Sequence, residues 1–252
     1  MVNNASRSLA EVEASIKRRL KYISRPKSGI QALIFYLLWK NDKAFNKNWI
    51  QVNHIRGMIS AYEAYLLYYL AGKCSESGSI VEIGSYEGKS TIALAMGAGT
   101  HGIVYAIDPH TGDKTEIEAG RVIDTWDAFL KNTKNFDCIY PIRKSSVDAT
   151  KDIGAKPIAL IFIDGWHSEK AVNEDIHSYL PLCSGKATAV FDDWNYSEVS
   201  AGIRKNIKML PPIVGAVGNN LLFSNNDHVT KSSLCRFIRL TTAKRVLKAH
   251  CS

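Results

Sequence analysis

The segment at residues 79–91, which reads Ser-Ile-Val-Glu-Ile-Gly-Ser-Tyr-Glu-Gly-Lys-Ser-Thr, constrains the fold of this chain more than any other. Its apolar first half predicts a buried strand, and its second half predicts a glycine turn that opens a helix. At Gly84 and Gly88 a side chain would block either the tight turn or the approach of a ligand to the backbone. Units of this kind occur in doubly wound α/β sheets, which bind nucleotide-like ligands at the carboxyl ends of their strands.

Two carboxylates near this turn indicate what the ligand is. Glu82 lies inside the apolar strand, which indicates that it faces a cationic or hydrogen-bond-donating ligand or loop. Asp108 ends the apolar run that starts at Gly102, where a carboxylate can accept both hydroxyls of a ribose. An adenosine ligand is therefore expected, in an arrangement that NAD and S-adenosylmethionine proteins share. The glycine spacing departs from G-x-G-x-x-G, which disfavours a dinucleotide phosphate cradle and an NAD-dependent oxidoreductase.

The rest of the chain alternates apolar runs with helical patterns, which predicts an α/β fold with a Rossmann-like, doubly wound, mostly parallel sheet. A helix over Ile59 to Lys73 feeds the first strand. The last two of the seven predicted strands follow each other with no helix between them. The predicted strands are Ile80–Gly84, Ile103–Asp108, Ile139–Arg143, Ala159–Asp164, Ala187–Asp192, Ile213–Val217 and Leu221–Ser224.

Composition predicts three regions in the 252 residues. Residues 1–55 are expected to form an N-terminal helical cap in which 40–53 are a polar connection, residues 56–227 the ligand-binding domain, and residues 228–252 a basic tail. The net charge of +8 is concentrated at the two ends, which suits either weak contact with a membrane surface or a solvated basic face. No nucleic-acid motif is present.

The remaining composition favours a cytoplasmic protein. The start of the chain lacks the apolar region of a signal peptide, and no apolar run reaches the length of a membrane helix. Five scattered cysteines without C-x-x-C spacing argue against a disulfide scaffold and against a zinc site. A homo-oligomer is left open by these features.

Two further strand ends carry the candidate chemistry. Asp164 ends the fourth strand and is followed by His167, while the adjacent Asp192 and Asp193 end the fifth. Neighbouring parallel strands converge at one edge, so three carboxylates are expected in one pocket, where a divalent cation such as Mg²⁺ would relieve their repulsion. His167 is the candidate base. The alternatives are that an aspartate caps the helix from Ser197 and that His167 caps the helix after strand four.

The motifs at residues 82–91, 107–112, 163–168 and 191–194 together resemble class I S-adenosylmethionine-dependent methyltransferases. The nearest group is the small bacterial O-methyltransferases related to cephalosporin-hydroxylase-like proteins and to the macrocin and novobiocin sugar O-methyltransferases. The sheet of these proteins ends in a C-terminal antiparallel hairpin. Trp166 stands where the novobiocin type carries an acid, and His167 fits a branch with an I-D-G-x-H pattern.

The resemblance implies roles for particular residues. Mg²⁺ would be bound by Asp164, Asp192 and Asp193, with Asp164 and His167 catalytic. S-adenosylmethionine would be bound by the first turn, the tip of strand two, the loop after strand three and the tip of strand four. These cofactor residues are Glu82, Gly84, Ser85, Tyr86, Gly88, Ser90, Asp108, Pro109, Ser145, Ser146 and Asp164.

The expected function is Mg²⁺-assisted O-methylation of a hydroxyl on a sugar, a glycoside or another small acceptor. Two alternatives remain open at this point. One is a metal-independent N- or O-methyltransferase in which the acid cluster is structural. The other is a non-catalytic protein that binds an adenosine ligand or a membrane surface.

Overall fold

The computed structural model describes residues 36–112, 120 and 123–231. Its strands form one seven-stranded sheet in the order β3-β2-β1-β4-β5-β7-β6. The order reverses between β1 and β4, which is where sheets of this class form a ligand crevice. The strands are β1 (Ser79–Ile83), β2 (Val104–Ile107), β3 (Ile139–Ile142), β4 (Ile158–Ile163), β5 (Cys183–Phe191), β6 (Ile213–Val217) and β7 (Asn220–Ser224).

The strand pairing confirms the predicted sheet. The pairs β1–β2, β1–β4, β2–β3 and β4–β5 are parallel. Strand β7 pairs antiparallel with both β5 and β6, which makes the C-terminal hairpin. Each of the seven predicted strands overlaps an observed one, because apolar runs bounded by glycine and aspartate leave little freedom in where a buried strand lies.

Helices cover both faces of the sheet. Helix α2 begins with a capping box, in which the Ser60 hydroxyl accepts from the Glu63 N–H and the Glu63 carboxylate accepts from the Ser60 N–H. The helices are α1 (Lys43–Val52), α2 (Ala61–Cys74), α3 (Lys89–Ala98), α4 (Trp126–Thr133), α5 (Ser146–Ala149), α6 (Glu169–Tyr179), α7 (Ser197–Lys205) and α8 (Asp227–Thr230). Two short 3₁₀ helices lie at Thr150–Asp152 and Leu180–Leu182.

The prediction of a polar connection over residues 40–53 is wrong, since α1 occupies most of it. Asp42 caps this helix by accepting from the Phe45 N–H at 2.9 Å. Phe45 and Trp49, one helical turn apart, are buried with their rings stacked at 5.6 Å. Two large apolar side chains at helical spacing thus outweigh the polar composition of the segment. Both residues belong to the same core cluster as α2 and the sheet.

Two hydrophobic clusters fill the two faces of the sheet. Successive residues of β1 alternate between them: Ile80 packs with α2 and α3, and Val81 packs with α6 and α7. Because β1 and β4 are buried over their whole lengths, their ends are held rigidly. The polar groups at those ends are therefore fixed relative to one another.

Several predictions concern the chain ends and the surroundings of the protein. The basic residues 18–27 and 232–252 lie outside the described residues, so contact with a membrane surface stays a prediction, as do a cytoplasmic location and a homo-oligomer. In the part of the chain that the structure describes, no helix is long and apolar enough to cross a membrane. Cys74, Cys138 and Cys183 are free thiols.

Candidate active site

The carboxyl ends of the central strands lie side by side. The Asp164 N–H donates to the Ile83 carbonyl at 2.9 Å, and the Asp192 N–H donates to the Ile163 carbonyl at 3.0 Å. These bonds place the turns after β1, β4 and β5 next to one another along the carboxyl edge of the sheet. Gly84 packs so closely there that a Cβ atom would lie 2.0 Å from the Asp164 carbonyl oxygen. The first glycine of the motif is therefore in contact with the first carboxylate turn.

The turn after β1 has the left-handed backbone that its glycines permit. Gly84 has a φ of 92° and Gly88 a φ of 89°. A Cβ atom on Gly88 would lie 2.8 Å from Thr133 Cγ2. Tyr86, between them, also has a positive φ of 47°, a conformation that non-glycine residues rarely adopt and that concentrates at functional sites. Gly88 is the N-cap of α3 and supplies no side-chain cap bond, so the backbone N–H groups that open this helix are not capped by its N-cap residue.

Glu82 is fully buried in β1 beneath this turn. The Thr91 hydroxyl donates to its Oε2, while its Oε1 has no partner among the described residues. Burial raises the pKa of Glu82 to about 7, against the lowering effect of hydrogen bonds from Ser90 and Thr91. A buried carboxylate oxygen without a donor is a costly feature, and a bound ligand with a donor group would satisfy it.

Asp108, at the tip of β2, is held by two backbone groups. Its Oδ2 accepts from the Tyr86 N–H at 2.8 Å and its Oδ1 accepts from the His110 N–H at 2.6 Å. His110 shares with Tyr86 a positive φ, here 58°. Each carboxylate oxygen can accept a second hydrogen bond, so the carboxylate keeps the capacity to bind the two hydroxyls of a ribose.

His110, within the motif at residues 107–112 after Asp108, is buried in the folded protein. Its Nδ1 lies 2.8 Å from the Thr125 hydroxyl, and its ring packs against Trp126 and Phe129. Burial, the largest influence, lowers the pKa of His110, so the ring is neutral at physiological pH. The sequence around His110 does not predict this burial, because the side chains that cover the ring lie at the start of α4, more than ten positions away.

The loop after β3 contains Ser145 and Ser146. Ser145 caps α5 by accepting from the Asp148 N–H at 3.3 Å, and the Ser146 carbonyl accepts from the Tyr179 hydroxyl at 2.6 Å. Strand β3 is separated from β1 by β2. The two serines therefore lie beyond Asp108, on the opposite side of it from Asp164.

His167 lies between two of the predicted carboxylates. Its Nε2 is 3.6 Å from Asp164 Oδ1 and 3.6 Å from Asp193 Oδ2. Burial raises the pKa of Asp164 well above its usual range, and the neighbouring carboxylate of Asp164 raises the pKa of His167. Burial also raises the pKa of Asp192 to about 6, with the charge of Asp193 adding to the effect. The structure thus brings together the four residues that the two strand ends predicted.

The two capping alternatives are wrong. Helix α6 is capped by Ser168, whose hydroxyl accepts from the Ala171 N–H at 3.1 Å, so His167 has no capping role. Helix α7 has Tyr196 as its N-cap with no side-chain cap bond, so Asp192 and Asp193 do not cap it. Helix capping therefore does not explain why these carboxylates lie at the ends of β4 and β5.

Among the described residues, the basic partner of the acid cluster is His167. Among residues 36–112, 120 and 123–231, no lysine or arginine forms an ion pair with Asp164, Asp192 or Asp193. Over the same described residues, no group of three or more His, Cys, Asp or Glu side chains is placed so that it could hold a metal ion. The carboxylates are close enough to repel one another without being arranged as a finished metal site.

Aromatic side chains surround this cluster unevenly. Trp166 is 49 % exposed and Tyr196 is 52 % exposed, and the Tyr196 ring packs edge-on to His167 at 5.8 Å. Trp194 is buried and belongs to the core cluster. Of the two tryptophans beside the aspartates, only Trp166 is therefore open to an incoming molecule.

Residues 81–194 match the family model described as a methyltransferase domain. The match includes the glycine turn, Asp108 and all three aspartates of the acid cluster. This segment is similar to a methyltransferase domain. The matched segment begins in β1 and ends just after β5, and so contains every strand end of the candidate site.

Solved methyltransferases share the fold of the chain. The O-methyltransferase TomG from Streptomyces achromogenes, involved in tomaymycin synthesis and in complex with SAM, is 19% identical, with a TM-score of 0.51 over 77% of this chain and 95% of that one. The O-methyltransferase from Bacillus cereus in complex with SAH is 16% identical, with a TM-score of 0.52 over 83% and 95%. The O-methyltransferase NovP is 12% identical, with a TM-score of 0.52 over 68% and 83%. At these identities the likeness establishes the fold alone.

Proposed function

We propose that this protein is an O-methyltransferase that transfers the methyl group of S-adenosylmethionine to an acceptor hydroxyl with the assistance of Mg²⁺. The observation that carries the proposal is the position of His167 between Asp164 and Asp193, beside the glycine turn after β1. A base and an oxygen-ligand cluster next to a methyl donor are what hydroxyl methylation requires. TomG, NovP and the Bacillus cereus protein are described as O-methyltransferases, which supports oxygen as the methylated atom.

The turn after β1 and the tip of β2 would bind S-adenosylmethionine. The unpartnered Oε1 of Glu82 and the unpartnered hydroxyl of Ser85 are both buried, and a ligand with donor groups would satisfy them. The ribose would be bound by Asp108, and the adenine would lie near Ser145 and Ser146. The first turn and the tip of β2 would supply the remaining contacts, from Gly84, Tyr86, Gly88, Ser90 and Pro109, with Asp164 at the far edge.

The cluster at β4 and β5 has the chemistry of an Mg²⁺ site. Asp164, Asp192 and Asp193 offer hard oxygen ligands, which Mg²⁺ prefers. Among the described residues they have no lysine or arginine to balance their charge, and a divalent cation would balance it. Small movements of these side chains would be needed, since the described residues do not present a finished metal group.

The residues of the chain then divide the work of the reaction. When bound, S-adenosylmethionine supplies an electrophilic methyl group and Mg²⁺ supplies the charge that acidifies the acceptor hydroxyl. His167 accepts the hydroxyl proton at Nε2. Asp164 orients the imidazole through the close electrostatic contact of its Oδ1 with His167 Nε2 at 3.6 Å. Gly84 lets the turn after β1 pack directly against the backbone of Asp164 at the tip of β4.

The acceptor is proposed to be a sugar, a glycoside or another small polyol-like molecule. The exposed rings of Trp166 and Tyr196 stand at the open side of His167. Exposed aromatic rings pack well against the apolar face of a sugar ring. A vicinal pair of hydroxyls would also suit a divalent cation held by carboxylates.

Calorimetric titration with S-adenosylhomocysteine and with Mg²⁺ tests both ligands separately. Asp108→Ala should weaken S-adenosylhomocysteine binding by about 10- to 100-fold, because it removes a charged hydrogen-bond acceptor. Asp164→Ala should abolish Mg²⁺ binding. Asp137→Ala, at the opposite edge of the sheet before β3, is the matched control and should change neither affinity.

Three results would refute parts of the proposal. Absence of S-adenosylhomocysteine binding in the unmodified protein would refute the cofactor. Absence of Mg²⁺ binding, or full methylation activity in EDTA, would favour a metal-independent N- or O-methyltransferase. A protein that binds the cofactor but keeps its biological role after Asp164→Ala would be a non-catalytic adenosine-ligand binder.

A further inference from the structure

The turn of the β6–β7 hairpin reaches the acid cluster. Asn219 Nδ2 donates to Asp193 Oδ1 at 2.7 Å. The Asn219 carbonyl accepts from the N–H of Trp194, the residue after Asp193, at 3.3 Å. One residue of the hairpin thus contacts both the side chain and the adjoining backbone of this aspartate. None of the site residues predicted from the sequence lies on this hairpin.

Asn219 is in turn fixed from the N-terminal side of the fold. Its N–H donates to Glu63 Oε1 at 2.7 Å, and Glu63 Oε2 accepts from the Ser60 N–H at 2.9 Å and from the Ser60 hydroxyl at 2.6 Å. Glu63 is only 8% exposed. Gly218 lies so close that a Cβ atom on it would be 2.2 Å from Glu63 Oε1. Glu63, at the start of α2, therefore fixes the position of the β6–β7 turn.

Asp193 needs such support because its backbone is strained. Its φ is 45°, an unfavourable conformation for a non-glycine residue that persists only where surrounding contacts impose it. Asn219 occupies Oδ1, which leaves Oδ2 directed at His167, 3.6 Å away. The amide thereby selects which carboxylate oxygen faces the reaction centre.

We propose that Asn219 is a positioning residue that orients Asp193 for Mg²⁺ and for His167, and that Glu63 anchors it. The inference rests on the proposed function, because it concerns the same acid cluster. Partners that orient a metal ligand commonly change metal affinity by about 10- to 100-fold when they are removed. The hairpin and the start of α2 then belong to the active site, although neither contributes a ligand.

Mg²⁺ calorimetry on Asn219→Ala tests the proposal, with Asn225→Ala as the matched control. Asn225 is an exposed asparagine at the other end of β7, and its Nδ2 donates to the Gly185 carbonyl at 2.8 Å. Asn219→Ala should weaken Mg²⁺ binding about 10- to 100-fold and leave S-adenosylhomocysteine binding within about twofold of the unmodified protein. Asn225→Ala should change neither affinity.

Asn219→Asp provides the second variant if Asn219→Ala does not fold. It keeps the shape and both backbone bonds, but replaces the donor with a charge that repels Asp193. Mg²⁺ binding that stays unchanged in either folded variant overturns the proposal. Equal losses of Mg²⁺ and cofactor binding also overturn it, since they show a merely structural role. If the unmodified protein binds no Mg²⁺, both the proposed metal and the role of Asn219 are refuted. If it binds Mg²⁺ and the Asn219 variants bind it equally well, only the role of Asn219 is refuted.

Discussion

Asp108 and Asp164 both follow a buried strand of the same sheet, but their surroundings differ. Asp108 accepts hydrogen bonds from two backbone N–H groups, those of Tyr86 and His110. Asp164 faces other carboxylates and a half-exposed His167. We call the tips of β1 and β2 the cofactor half and the tips of β4 and β5 the acid half. The first holds Asp108 with two backbone donors, and the second gathers three carboxylates around His167.

This difference matches what each half is proposed to bind. A ribose is neutral and needs acceptors in fixed positions, which backbone donors provide by locking the carboxylate of Asp108. A cation needs concentrated negative charge, and its binding offsets the repulsion that the folded protein carries without it. Substitutions in one half or the other distinguish these two kinds of binding site.

Gly84→Ala should disrupt both halves, because Gly84 lies where they meet. The added Cβ would be 2.0 Å from the Asp164 carbonyl oxygen, at a φ of 92° that alanine disfavours. Together, overpacking and backbone strain should lower the free energy of unfolding by about 3 kcal/mol and abolish binding of S-adenosylhomocysteine and Mg²⁺. Urea unfolding and calorimetry measure these losses. Gly185→Ala, with no atom within 4 Å and no positive φ, is the control and should be neutral.

Glu82→Gln tests the charge hidden in the cofactor half. Since burial raises the pKa of Glu82 to about 7, the folded state holds this proton over a pH range in which the unfolded chain has lost it. Glu82 therefore contributes stability below its unfolded pKa, and this is lost as pH rises through about 7. The loss amounts to about 3 kcal/mol.

The measurement is the free energy of unfolding of both proteins from pH 4 to pH 8 without ligand. The difference between the unmodified protein and Glu82→Gln should shrink by that amount as pH rises, because glutamine does not titrate. Other acids cancel in this difference. A pH-independent difference would show that Glu82 has an ordinary pKa and that its unpartnered oxygen carries no cost.

Asp192→Asn tests the acid half by the sign of its effect. In EDTA at pH 8, removing one carboxylate relieves repulsion from Asp193, so the variant should melt about 2–4 °C higher, equivalent to about 1 kcal/mol. With excess Mg²⁺ the order should reverse, since only the unmodified protein gains binding energy. Asp137→Asn should show neither change. An order that is the same in EDTA and in Mg²⁺ would contradict a metal role for the cluster.

The sequence predicted the strands and their polar ends for a simple physical reason. A continuous run of apolar residues predicts a buried strand, as in β4. The first carboxylate or glycine after the run predicts where the strand ends, as at Asp164 and Gly84. The sequence did not predict helix α1, because Phe45 and Trp49 are the buried residues of this helix and the rest of the segment is mostly polar. Contacts that depend on how distant elements cross leave no such local signal.

Asn219 shows that limit most clearly. It stands 26 positions from Asp193 and 156 positions from Glu63, so both contacts arise only when the hairpin and α2 pack on the sheet. An asparagine next to a glycine reads in sequence as an ordinary hairpin turn. His110 is a similar case, since its neutral state follows from burial by Trp126 and Phe129. Strand ends can be predicted from sequence, and the groups that orient them require the folded structure.

Ser145→Ala should give the smallest effect and tests how far the cofactor half extends. Ser145 caps α5 and bonds the Asp148 carboxylate at 2.6 Å. Loss of the cap should lower the free energy of unfolding by about 1 kcal/mol. The Ser145 hydroxyl already donates to Asp148, so the substitution would remove at most one hydrogen bond to the ligand. Affinity for S-adenosylhomocysteine should therefore fall by about twofold to fivefold. Thr150→Ala, which removes a hydroxyl bonded to the Val147 carbonyl in the same segment, should leave affinity unchanged. Equal affinities in the two variants would place the boundary of the cofactor half at Asp108.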